Sequence, residues 1–138
     1  MSYLKLVLDK LAAIFGEDAL EPRIAASIFS YVDEHKNVRH LNLAFVKQIC
    51  QLPHTEKSDV AVLKTLQALA GDAIGYLNVG FEYVDDNEDI HNITRAAFAE
   101  AINNGIDPFS GEETQGLSQR VLIYYFPDES FPKRLIHE

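Results

Sequence analysis

The segment Asn42–Asp89, NLAFVKQICQLPHTEKSDVAVLKTLQALAGDAIGYLNVGFEYVDDNED, sets the order of elements on which the fold turns. Asn42 suits a helix N-cap, because its side-chain oxygen can accept one of the unpaired N–H groups of a first turn. The helix it opens carries Phe45, Val46 and Ile49 inward, and Pro53 is expected to end it. Ser58 is the next capping candidate. After it Val62, Leu63, Leu66, Leu69 and Ala70 fall at i, i+1, i+4, i+7 and i+8, an apolar stripe on a helix closed by Gly71. Tyr76–Val84, YLNVGFEYV, is rich in aromatic and branched residues and reads as a strand, with Gly80 marking a bulge. The acidic turn Asp85–Asp89 follows at once.

Outward from that segment, Leu4, Val7, Leu8, Leu11, Ile14 and Phe15 line one face of an N-terminal helix stopped by Gly16. A second helix starts near Pro22, runs through Ile24, Ala25, Ile28, Phe29 and Val32, and is expected to pack on the first. On the C-terminal side, Thr94 caps a helix over 95–103 with Phe98, Ala101 and Ile102 on one side, and Asn104-Gly105 stops it. The loop DPFSGEETQG leads to Gln119–Pro127, QRVLIYYFP, expected as a strand buried on both sides or paired with Tyr76–Val84. The tail from Asp128 reads as loop, with Phe131 and Leu135 as anchors. The expectation is one α+β domain over 1–138: a helical core, a small antiparallel sheet, and an extra C-terminal helix and strand.

Taken together, the two early helices, LNLAFVKQICQL, the PHTEK turn, SDVAVLKTLQALAGD and GYLNVGFEYVDD resemble a winged helix-turn-helix domain over about residues 4–90, without pointing to a specific family. The resemblance implies that the helix from Ser58 to Ala70 enters a DNA major groove and that the tip from Asp85 to Asp89 touches the backbone or minor groove. The side chains argue otherwise. The outward helix face is expected to show Asp59, Ala61, Lys64, Thr65, Gln67 and Ala68, with no net charge. Gln67 would read an adenine, and Lys57 and Lys64 would meet phosphates, too few for the backbone neutralisation that most nucleic-acid affinity needs. The tip would set Asp85, Asp86, Glu88 and Asp89 against phosphates. The chain has a net charge of −9, and all of it lies in residues 58–138, with 14 acids and five bases. Such a field favours a basic or mixed protein surface.

The leading reading is therefore a non-catalytic protein-interaction module or small accessory factor, with Tyr83, Asp85, Asp86, Glu88 and Asp89 toward the partner and the N-terminal helix available for a homodimer. A DNA-binding regulator using Lys57, Lys64 and Gln67 is the alternative, and a small enzyme or enzyme subunit the second alternative.

No catalytic, metal or cofactor signature supports that last option. Asp85-x-Asn87-x-Asp89 begins like a calcium loop, but the sixth and twelfth positions are Ile90 and Ala96 instead of glycine and glutamate. Cys50 and His54 make one pair, short of a zinc site, and helical spacing turns Cys50 toward Val46 and Ile49, as a small buried hydrophobe. Gly71, Gly75 and Gly80 match no phosphate-binding loop. An acid–base pair such as Glu82 with Asp107 stays open, since spacing fixes no distance between them. Tyr76, Phe81, Tyr83, Tyr124, Tyr125 and Phe126 gather in the two strands, and alternation sends some of them outward. The single cysteine and the charges that interrupt the N-terminal apolar run suggest a cytoplasmic protein, and no run reaches the roughly 20 apolar residues of a membrane span.

Overall fold

The computed structural model describes residues 3–35 and 37–129; the expected anchors Phe131 and Leu135 lie outside them. Among the described residues there are five α-helices and a three-stranded antiparallel sheet, a mixed α+β architecture. In chain order these are α1 (Tyr3–Phe15), α2 (Leu20–Glu34), α3 (Leu43–Cys50), α4 (Glu56–Ala70), β1 (Leu77–Val84), β2 (Ile90–Ile93), α5 (Arg95–Asn104) and β3 (Val121–Pro127). The described chain divides into two compact units. One joins the residues up to Asn78 with those from Tyr125 onward, and the other is Val79–Tyr124.

The first unit is helical. Asn42 caps α3 as expected, its Oδ1 accepting the Phe45 N–H at 2.8 Å. The helix ends earlier than Pro53, where Gln51 turns into the left-handed region at φ 54°. Helix α4 starts three residues before the expected cap: Thr55 is the N-cap, and its hydroxyl oxygen accepts the N–H of Ser58 at 3.2 Å. The face it buries also differs from the expected one. The buried stripe is Ser58, Ala61, Val62, Thr65, Leu66 and Leu69, while Leu63 is 38% exposed. Ala61 and Thr65 are therefore inside, not on the outward face. Thr65 can sit in an apolar stripe because its hydroxyl donates to the Ala61 carbonyl at 2.7 Å, leaving no unpaired donor. Against that stripe pack Ile24 and Ile28 of α2, both fully buried, and α2 also packs on α1 and α3. Lys47 of α3 reaches Asp59 in the first turn of α4 at 2.7 Å, an ion pair that sets a cation near one helix C-terminus and an anion near the next N-terminus. Phe29 meets Tyr76 edge-on at 4.7 Å.

The second unit wraps α5 against the sheet. Tyr83, Ala101, Leu117 and Val121 form its buried cluster, with Ile93 and Phe98 packed beside them. Thr94 caps α5, and Gly105 takes the left-handed C-terminal conformation at φ 65°, where glycine carries no Cβ penalty. β1 and β2 pair antiparallel, with Phe81 opposite Ile93 and Tyr83 opposite His91. β3 lies on the other side of β1 in the order β2-β1-β3. It is an edge strand and is not buried on both sides: Leu122 and Ile123 are 47% and 39% exposed.

Gly80 lies within β1, one residue before the stretch paired with β2. Its role is close approach: a Cβ there would lie 2.2 Å from Cζ of Tyr124, whose ring crosses β1 so that its hydroxyl donates to Asn92 Oδ1 of β2 at 3.3 Å. Gly80→Ala is expected to destabilise the fold by about 1–3 kcal/mol. The same change in a Tyr124→Ala background should be less damaging, a non-additivity read from urea denaturation of the single and double variants.

Candidate interaction site on the β1–β2 hairpin

The hairpin tip is built on one carboxylate. Asp85 Oδ1 accepts the N–H groups of Asn87 and Asp89 at 2.8 and 2.9 Å, and Oδ2 meets Nε2 of His91 at 2.7 Å. The backbone closes the turn through Asp85 N–H to the Asp89 carbonyl at 2.9 Å. The His91 imidazole and then the Asp89 and Asn87 N–H groups hold the Asp85 carboxyl below its ordinary value. Asp85 is thus committed to the turn, whereas Asp86, Glu88 and Asp89 stand exposed at the tip. Asp86 pairs with Arg120 at 2.7 Å on the surface, a contact worth about 0–1 kcal/mol in water. Glu88 adopts φ 65°, a left-handed conformation that costs a residue with a side chain roughly 1–2 kcal/mol relative to glycine.

Tyr83 is placed differently from the sequence expectation. Its ring is 4% exposed within the buried cluster, and its hydroxyl donates to Asp107 Oδ2 at 3.0 Å. The parity of the strand decides this: Tyr83 shares a face with Phe81, toward α5, and burial with the Asp107 contact pushes its phenol pKa up. Asp107, whose pairing with Glu82 the sequence left open, accepts the Tyr83 hydroxyl. Its other oxygen accepts the N–H groups of Ser110 and Phe109 at 3.0 and 2.8 Å, and these bonds lead the causes that hold its carboxyl below the ordinary value.

Phe109 is what this loop presents. Its ring is 60% exposed, yet it meets His91 edge-on at 4.8 Å and Tyr83 at 5.5 Å. The ring stands beside His91 and Tyr83, which bond the Asp85 and Asp107 carboxylates, and its exposed face is of the kind that takes a cation. His91, Phe109 and Arg120 were missed from sequence. The Asp-Pro-x-Ser-Gly turn chemistry of the loop was visible, but which strand faces it was not. Of the six strand aromatics, Tyr76, Phe81, Tyr83 and Tyr125 are buried. The exposed apolar side chains of this unit are instead Ile90, Ile102, Phe109, Leu122 and Ile123.

The second unit also holds most of the charge. Residues 79–124 contain nine carboxylates against Arg95 and Arg120, a net −7 of the chain's −9.

Lys57 and Lys64, by contrast, line a cleft of about 680 Å³ at the start of α2 and α4, beside Arg23 but also Asp18, Glu21 and Glu56. Gln67 is exposed on α4 and does not line it. The groups whose pKa is displaced, Cys50, Tyr76, Tyr83, Asp85 and Asp107, line neither this cleft nor a second one of about 400 Å³ around Arg39 and Asp128. Burial raises the Cys50 thiol, and burial with nearby Asp33 raises Tyr76 to about 12. Among the described residues, no three histidine, cysteine or acidic side chains converge as metal ligands, and no helix is long and apolar enough to cross a membrane. Compared with known proteins, the chain matches no family model, no curated protein and no solved structure.

The two depressed carboxyls make stability pH-dependent. Each folded pKa lies below the ordinary 3.8, so the stabilisation is complete above that value and is lost as pH falls through the folded one. Urea unfolding at about pH 6 and about pH 3 should show a smaller acid loss in Asp85→Asn/Asp107→Asn than in the wild type. Equal losses would remove these carboxylates as its source.

Proposed function

We propose that this chain is a non-catalytic protein-interaction module of winged-helix-like build that binds a partner with a basic or mixed surface through the acidic hairpin. The observation that carries the reading is the net −7 of residues 79–124, within which Asp86, Glu88 and Asp89 stand exposed at a tip whose shape is fixed by Asp85. Asp86, Glu88 and Asp89 meet the partner's cations, Phe109 supplies an apolar anchor, and Tyr83 and Asp107 support it from below. The left-handed backbone at Glu88 adds weight, because glycine would suit that position better and a carboxylate stands there instead.

The DNA-binding reading has less behind it: Lys57 and Lys64 sit among three carboxylates, and the exposed face of α4 includes Val60 and Leu63. Self-association through α1 would use Leu6 and Ile14, both exposed, and Ile14→Glu would abolish it in sedimentation velocity.

Binding of labelled polylysine, followed by fluorescence anisotropy, tests the main reading. Asp86→Asn/Glu88→Gln/Asp89→Asn should weaken it about tenfold, and added salt should do the same to the wild type. Unchanged affinity in the triple variant, or duplex DNA binding abolished by Lys64→Glu, would sink it.

A further inference from the structure

We propose that the edge of β3 around Ile123 accepts one extended, lysine- or arginine-rich peptide segment by strand addition. The proposal names the partner of the interaction reading above and rests on it. β3 ends the strand order β2-β1-β3. The Arg120 carbonyl accepts the Val84 N–H at 2.9 Å and so faces β1, while its N–H donates to the Leu117 carbonyl; the next N–H, that of Val121, points the opposite way to that of the Arg120 carbonyl. Backbone groups alternate sides along an antiparallel strand, so Val121 and Ile123 turn theirs the other way. Tyr125 has the same parity, and its N–H and C=O both bond Leu41, at 2.9 and 2.7 Å. That bridge shows the outward row in its paired state. Among the described residues, no backbone group pairs with the outward N–H and C=O of Val121 and Ile123.

The side chains keep this edge open. Sheet edges are commonly guarded by lysine, proline or a bulge, and Val121–Tyr124, VLIY, contains none of these guards. Leu122 and Ile123 offer apolar ground on both faces for alternate residues of an added strand. Charge selects the occupant. Pairing two copies through this edge would bring together two units of −7 each, whereas a cationic segment is drawn to the same field. The opening is short and centres on Ile123, 39% exposed, since Val121 beside it is 6% exposed, so the fit is a brief extended stretch.

The test titrates the full chain with a short labelled peptide alternating valine and lysine, and with the same peptide N-methylated on the amides that would face β3. Methylation keeps charge and removes the main-chain donors, and should weaken binding about tenfold or more. Ile123→Pro should do likewise with an unchanged far-UV spectrum, because the N–H it removes lies outside the β1–β3 ladder. Equal affinity for parent and methylated peptides overturns strand addition and leaves the acidic-surface reading standing; no binding of either overturns both. A concentration-dependent dimer lost in Ile123→Pro assigns the edge to a second copy and overturns the cationic occupant. If Ile123→Pro does not fold, the methylated peptide still decides.

Discussion

The seam between α2 and α4 is the constraint on which the helical unit depends. Ile24 and Ile28 meet Val62, Leu66 and Leu69 with almost no solvent access, and each such aliphatic side chain contributes about 1.5–3 kcal/mol on burial. The seam fixes the rotation of α4 about its axis, and that rotation decides which residues face water. With Ser58, Ala61 and Thr65 turned inward, the free face is left to Lys57, Val60, Leu63, Lys64 and Gln67. The surface of this helix is a by-product of its packing, which is why its composition is mixed.

In the other unit, charge plays two roles that a count of residues merges. Asp85 and Asp107 spend their lone pairs on their own loops, so they organise the chain while remaining anionic. Asp89 and Glu88 serve the turn through their backbone, and Asp86 reaches Arg120, but the three carboxylates stand at the exposed tip. The same sign of charge is structural at one position and displayed at the next.

How legible this was from the sequence depended on whether the signal was local. The Asn42 cap, the β1 strand and the acidic tip could be read because a cap, a run of branched and aromatic residues and a turn each lie within a few positions. The phase of α4 could not, since Ser58 and Thr65 look polar until their hydroxyls are seen bonded within the helix. Tyr83, expected to face a partner, is buried, because parity shows only once a neighbouring strand is known. His91 lies within the hairpin, six residues from Asp85, and needs only the strand register to place it, whereas Phe109 and Arg120 reach the hairpin through pairings that span up to 34 residues, from Asp86 to Arg120, and nothing local announces them.

The bond set around Asp107 has a consequence for the ring it holds. One oxygen fixes the backbone of Phe109 while the other is tied to a phenol in the buried cluster, so the loop cannot swing without breaking into that cluster. Most exposed side chains surrender about 0.5–1.5 kcal/mol of rotational freedom when a contact immobilises them. Phe109 has given up part of that freedom during folding. A ring held at its backbone in this way costs less to order than one on a free loop.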